Sequence, residues 1–298
     1  MNNFKSGFVT VIGRTNVGKS SLINKMVGEK VSAVADKTQT TRKNVRAIVN
    51  RENAQIIFID TPGIHSPKSK LSEAMVESAY YSLDEVDVIV YVVDVTSTRV
   101  DEKTLDKIKE ANKKTILVLN KIDMISPTEV AEFINKYKDM YDFQAIIPVS
   151  VAKNRNVKDV LDEIEKCLPL GPAYYDKEEY TDQTSREIVE ETIREKALRF
   201  LRDEIPHGVY VSVSQMKSKK TMKNEKYYDT EATIYCNRES HKGIIVGKNG
   251  AMLKRIGTSA RKELEDMFGC KFNLKLWVVV QKDWINDPKF VDKFKIKK

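Results

Sequence analysis

Eight residues, Gly13 to Ser20 (GRTNVGKS), follow the apolar run FVTVI and precede SLINKMV, which has helical spacing. The pattern G-x-x-x-x-G-K-S allows few folds, because it needs a sheet that delivers a strand's carboxyl end to a helix's amino end. Each residue type there has a physical task. The glycines let backbone N–H groups turn inward around a phosphate, and the positive end of the helix adds attraction. Lys19 reaches the outer phosphates, and Ser20 offers a hydroxyl to a divalent cation. A nucleotide phosphate site is therefore expected over Gly13, Arg14, Thr15, Asn16, Val17, Gly18, Lys19, Ser20 and Ser21.

The rest of the amino-terminal half suits such a sheet. AQIIFID, DVIVYVVD, TILVLN and AIIPVS are short, continuous Val/Ile-rich runs separated by amphipathic stretches. Runs of this kind are parallel strands covered on both faces, which predicts a doubly wound α/β domain over residues 1–170. Asn44 to Asn50 alternates, with Val45, Ala47 and Val49 on one side, as an edge strand does. Residues 168–185 (LPLGPAYYDKEEYTDQTS) break the rhythm with prolines, a glycine and acids, and 171–185 reads as a linker. A smaller α+β domain is expected over 186–298. It opens with a helix over Arg186–Asp203 that Pro206 and Gly208 stop. Strands Val209–Gln215 and Thr230–Cys236, helices His241–Val246 and Ala251–Phe268, and strand Lys271–Val280 follow, in the order α-β-β-α-α-β, before a frayed basic tail ending KFKIKK.

Composition narrows the class. With 41% apolar and 32% charged residues, the 298-residue chain can fill two cores. No run of eighteen apolar residues occurs, so cytoplasm is the expected address. Cys167, Cys236 and Cys270 form no C-x-x-C pair, which argues against zinc or a disulfide framework, and reduced, buried thiols are expected. Charge is unevenly spread: residues 1–170 carry a net +2, 171–204 a net −4 and 205–298 a net +10. A field concentrated in the last third attracts phosphate backbones.

Three further motifs lie at predicted strand ends. Asp60-Thr61-Pro62-Gly63 closes AQIIFID and puts a carboxylate where it can hold Mg²⁺ through water, with the Gly63 N–H facing a γ-phosphate. Asn120-Lys121-Ile122-Asp123 closes TILVLN. Asp123 can accept two hydrogen bonds from guanine that adenine cannot supply, and a carboxylate buried without partners under the wrong base is heavily penalised. Asn120 braces that loop, Lys121 lays its aliphatic stem on the base, and Ser150-Val151-Ala152, closing AIIPVS, supplies backbone N–H groups for the guanine O6. GTP or GDP is therefore the expected nucleotide. Lys30 to Arg42 reads as a mobile switch loop, in which Thr41, or Thr40 beside it, can ligate Mg²⁺ and meet the γ-phosphate.

In the basic third, Gly247-Lys248-Asn249-Gly250 joins two helices, with Ile244, Ile245 and Val246 before it and Lys254 and Arg255 after it. Within an α-β-β-α-α-β order this is a K homology (KH) fold of type II, whose G-x-x-G loop holds a nucleotide backbone while bases lie in an apolar groove. The expected RNA contacts are Lys242, Gly243, Ile244, Ile245, Gly247, Lys248, Asn249 and Gly250.

These residues together resemble the Era family of bacterial ribosome-associated GTPases, within the TrmE-Era-EngA-like group. QTTR at Gln39–Arg42, DTPGIH at Asp60–His65, NKID, LPLGP and HKGIIVGKNG at His241–Gly250 carry the resemblance over nearly the whole chain. It implies a GTP-hydrolysing factor in small ribosomal subunit maturation that binds the 3′ end of small-subunit ribosomal RNA. It also implies association with the cytoplasmic membrane face; a monomer is expected. Val151 departs from the family's usual alanine. Ile64 stands where Ras-like GTPases carry the water-orienting glutamine and can neither donate nor accept. Asn16 resembles the asparagine that helps related GTPases bind K⁺, so catalysis is expected from Lys19, Asn16, Thr41 and Gly63, with His65 a weaker candidate base. Two rivals stand beside the switch: an RNA-binding module whose nucleotide is structural, and a GTPase whose basic domain meets anionic lipid or protein.

Overall fold

A computed structural model describes residues 3–34, 41–42, 44–97, 99–201 and 208–294. The chain forms two compact units, one holding the residues up to Val34 and Thr41–Asp182, the other Gln183–Lys293. Thr40, Pro206 and the last residues of the tail lie outside the described residues.

The first unit is a six-stranded sheet in the order β2-β3-β1-β4-β5-β6, from β1 (Lys5–Ile12), β2 (Val45–Asn50), β3 (Ala54–Asp60), β4 (Val88–Asp94), β5 (Lys114–Asn120) and β6 (Ala145–Val149). Only β2 runs antiparallel to its neighbour. All seven residues of β3 are buried, as a central strand covered on both faces must be. The helices α1 (Lys19–Val27), α2 (Lys70–Tyr81), α3 (Glu102–Ala111), α4 (Pro127–Lys138) and α5 (Val157–Cys167) alternate with the strands. Their starts follow local chemistry: Ser69 and Ser126 close capping boxes with Ser72 and Glu129, and Pro127 sits at the first turn of α4, where its missing N–H costs nothing. Two clusters of buried residues form the core, one on each side of the sheet. Because β1 lies between β3 and β4, the winding reverses beside it, and a doubly wound sheet opens its crevice at that reversal.

The residues read as a linker are tied down as far as Thr181. Ser6 donates from its backbone to Pro169 O at 3.1 Å, Ile48 N donates to Tyr180 O at 2.9 Å, and Gln55 Oε1 accepts from the N–H groups of Tyr174 and Tyr175.

The second unit packs α6 (Ser185–Phe200), α7 (Glu239–Val246) and α8 (Ala251–Phe268) with a three-stranded sheet ordered β7-β8-β9. Here β7 (Tyr210–Lys220) and β8 (Lys226–Cys236) are antiparallel, while β9 (Lys271–Val280) joins β8 in parallel. A bulge between Val213 and Gln215 shifts the β7 register. Both β7 and β8 run further than the alternation of apolar residues predicts, since Lys217–Lys220 and Lys226 pair without burying anything. A short α9 (Pro288–Val291) follows, and Trp284, buried completely, donates from Nε1 to Gly208 O at 2.9 Å. Cys167 and Cys236 are buried as expected, whereas Cys270, in the turn before β9, is only half-buried. No helix among the described residues is long and apolar enough to cross a membrane.

Candidate functional site

At the end of β1 the chain turns through Gly13 to Gly18 and enters α1, whose first turn has no side-chain cap. The leading N–H groups of such a helix have no partner within it and suit an anion. Gly18 holds φ 100°, and a Cβ there would collide with Asn120 Nδ2, so no other residue fits. Lys19 is buried and donates from Nζ to the carbonyls of Gly13 (3.0 Å) and Arg14 (2.9 Å). Burial pulls its pKa down to about 8, against the opposing pull of the Asp60 charge. This desolvated cation is matched to a ligand that brings negative charge.

Asp60 ends β3 beside it. Its carboxyl lies above the ordinary carboxylate range, because burial outweighs the nearby Lys19 charge. Thr41 Oγ1 donates to Asp60 Oδ2 at 3.2 Å and lies 2.9 Å from Ser20 Oγ, while the buried Asp60 Oδ1 has no hydrogen-bond partner among the described residues. Two hydroxyls and a carboxylate with an unused oxygen are a hard-oxygen set, which fits Mg²⁺. Among the described residues no cluster of three His, Cys, Asp or Glu offers a rival metal site. Ser20, Thr41 and Asp60 would hold the ion, which when bound would offset phosphate charge. Gly63 lies against Thr15, and Ile64 N donates to Gly13 O at 3.1 Å, so the β3 loop is clipped to the phosphate loop. The Ile64 side chain is buried, and His65 Nδ1 sits 2.8 Å from Gly63 O within its own loop. Asn16 is exposed, in the left-handed region at φ 65°.

Asn120 joins three loops. Its Nδ2 donates to Val17 O at 2.8 Å, and its Oδ1 accepts from Lys121 N (2.8 Å) and Val151 N (3.2 Å). The phosphate loop, the NKID turn and the Ser150–Ala152 loop are thereby held as one rim. Ser150 Oγ donates to Asp123 Oδ1 at 2.6 Å and keeps that carboxyl below its usual range, ionised and accepting at neutral pH. Asp123 itself is exposed at the rim rather than buried: a short 3-10 turn after β5 lifts it clear of the sheet. Val151 packs its branched side chain into the core, so the larger residue is accommodated away from the loop's surface. Ser21 is half-buried in the first turn of α1. The sequence reading missed Asp94. At the end of β4 it takes the Lys121 ammonium at 2.5 Å and two bonds from Thr96. These outweigh its partial burial and hold its carboxyl below the usual range. Its only signal was its place at a strand's carboxyl end.

The second unit carries a different site. Helix α7 ends as Gly247 N donates to Gly243 O at 2.8 Å, and Gly250 N closes the turn on Gly247 O at 3.1 Å. Gly247 has φ 72°, and a Cβ there would stand 2.8 Å from Met252 Cβ and 2.9 Å from Met252 N. Lys248 and Asn249 are exposed at the tip and Lys242 is half-buried on α7, where Gly243 leaves open space. Ile244 and Ile245 part company: successive helical residues point about 100° apart, so Ile244 is 49% exposed while Ile245 is fully buried in the core and drops out of the expected contacts. Beyond the turn a groove of about 420 Å³ runs between α8 and β9. Leu253, Leu274 and Leu276 give it an apolar lining, and Lys254 and Arg261 add charge. Arg255 instead stacks on the Phe200 ring, 4.3 Å from its centroid.

Comparison with known proteins places each unit in a known domain family. Residues 8–121 match the family model described as 50S ribosome-binding GTPase, and residues 204–285 match the KH domain model. GTPase Era of Caldanaerobacter subterraneus subsp. tengcongensis is 47% identical over 97% of each chain, and GTPase Era of Clostridium acetobutylicum is 48% identical over 96% of this chain and 95% of its own. The chain belongs to the Era family of GTPases. Solved Era structures agree over 98% of this chain and the whole of theirs. One is a single-residue variant of Aquifex aeolicus Era bound to GDP·AlF4⁻ (37% identical, TM-score 0.92). Another is Era with MgGDPNP and nucleotides 1506–1542 of 16S ribosomal RNA (38% identical, TM-score 0.93). As an Era-family enzyme the chain binds GTP and hydrolyses it to GDP and phosphate.

Proposed function

We propose that the chain is a GTP-driven switch that grips single-stranded RNA near the 3′ end of small-subunit ribosomal RNA through the α8–β9 groove and acts in small-subunit maturation. The observation that carries this reading is the Asn120 bond set, which holds a guanine-selective carboxylate and a phosphate loop in one rim. The family description of the GTPase half speaks of the large subunit, but the relative solved with 16S RNA matches both units, which favours the small one.

In this reading the phosphates lie among Gly13–Ser21 and the Gly63 N–H. Mg²⁺ is held by Ser20, Thr41 and Asp60, and guanine by Asn120, Lys121, Asp123 and Ser150–Ala152. Thr40, the alternative to Thr41, lies outside the described residues; the bonds of Thr41 to Ser20 and Asp60 favour Thr41. Lys19 and Gly63 stabilise the charge that builds on the departing phosphate. Ile64 supplies no polar atom; Asn16 would help hold a K⁺, which when bound would supply the positive charge that an arginine finger brings elsewhere. Lys242, Gly243, Ile244 and Gly247–Gly250 meet the RNA backbone. The protein works as a cytoplasmic monomer, and the basic last third supports peripheral contact with an anionic membrane face.

Titrating a fluorescent single strand from the 3′ end of 16S RNA against the protein with GDPNP and with GDP tests the switch. Tighter binding with GDPNP is expected, and equal affinity in both states would reduce the nucleotide to a structural part.

A further inference from the structure

The three-stranded sheet has a second face. Val211, Val213, Ala232, Ile234 and Phe272 turn toward the helices and are buried. The strand register places Lys217 and Lys219 of β7 and Lys275 and Trp277 of β9 on the opposite side, with Asp229 and Glu231 of β8 between them. Trp277 is 57% exposed. The carboxylates hold two of these lysines in place: Lys219 Nζ lies 2.5 Å from Asp229, and Lys275 Nζ 3.2 Å from Glu231. Residues 217–226 are exposed throughout, because β9 first pairs at Tyr227 and leaves the β7–β8 ribbon without a third strand.

Lysines alone are a common guard against pairing with a stray strand. That explanation does not extend to an open indole on the same face, which favours association rather than discouraging it. Aromatic rings flanked by fixed cations are how proteins hold unpaired bases without reading their sequence. Strand β9 is shared by two surfaces: Leu274 and Leu276 line the groove, and Trp277, the next residue, stands on the outer face. A strand leaving the groove reaches the indole by passing around one β-strand.

We infer that the outer face of β7-β8-β9 is a second RNA surface, on which Trp277 stacks with an unpaired base and Lys217, Lys219 and Lys275 take the phosphates of the strand beyond the groove. This rests on the groove being an RNA site.

The test is fluorescence anisotropy on the full chain. One RNA is about eight nucleotides, twice the four that a KH loop clamps, and the other is the same strand lengthened to about sixteen. Wild type binds the longer strand more tightly. Trp277→Ala weakens the longer strand about fivefold or more, the low end of what one stacked base contributes, and leaves the short one unchanged. Trp277→Phe restores most of the loss, which excludes misfolding. The triple variant Lys217→Gln, Lys219→Gln, Lys275→Gln lowers the salt slope on the longer strand by about 2, near 0.7 for each phosphate released. Equal behaviour of wild type and Trp277→Ala on both strands, or equal loss on both, overturns the outer surface. So does capture by phosphatidylglycerol vesicles that depends on Trp277 while RNA binding does not. A Gly247→Asp, Gly250→Asp variant that still binds the short strand removes the groove instead. If wild type binds neither RNA, both surfaces fall.

Discussion

Among single residues, Lys19 gives the sharpest expectation. Its folded pKa is near 8, below the ordinary 10.5, so between those values the unfolded chain binds more protons and stability rises with pH. Below about pH 8 the buried charge costs the nucleotide-free protein about 3 kcal/mol, which a polyphosphate offsets. Nucleotide binding therefore takes up a proton at alkaline pH, and GTP affinity should fall roughly tenfold from pH 7 to 9 by calorimetry; a flat profile would show that Lys19 does not meet the phosphates. The rim residues divide by task. Asp94→Ala releases Lys121 and should weaken GTP and ATP alike, by about 1 kcal/mol or near fivefold. Asp123→Ala should bring GTP affinity down to that of ATP, and competition titrations separate the two patterns. Asp123 was legible in the sequence because its chemistry goes with a motif. Asp94 was not, because one acid at a strand end looks like any other until Lys121 is seen against it.

At the scale of elements, the G-x-x-G turn makes a graded prediction. Gly247→Ala adds a Cβ into Met252 and strains a backbone at φ 72°, whereas Gly250→Ala at φ 78° meets open space and incurs only the left-handed penalty, about 1 kcal/mol. The first should lower the melting temperature and RNA affinity clearly more than the second, and the reverse order would refute the turn's geometry. The strands of the first unit could be read from the sequence because burial on both faces writes itself as unbroken Val/Ile runs. The outer halves of β7 and β8 could not: Lys217 to Lys226 bury nothing, and a ribbon held only by its ladder leaves no hydrophobic period. Ile244 and Ile245 show a similar limit, since adjacency in sequence concealed that a helix sends them to different environments.

For the whole molecule, the Era-family assignment with a buried Ile64 predicts that hydrolysis depends on an ion the chain does not itself carry. Replacing KCl with NaCl should slow turnover at least tenfold while leaving GDP affinity within about twofold, consistent with loss of transition-state charge stabilisation alone. Unchanged turnover would exclude K⁺ and reopen His65. The fold class followed from motif order, because four loops at the carboxyl ends of the parallel strands β1, β3, β5 and β6 have one arrangement in a doubly wound sheet. The depth of Lys19 and the exposure of Asp123 did not, being properties of side-chain surroundings that no spacing encodes.

The Lys19 ammonium, dry and facing two carbonyls, also makes the folded state depend on the guanine nucleotide pool. A guanine nucleotide completes the interior much as a missing core residue would, and at a hundredfold excess over its dissociation constant it deepens the folded well by about 2.7 kcal/mol. Starvation that drained both GTP and GDP would thus thin the pool of intact protein as well as stall its cycle.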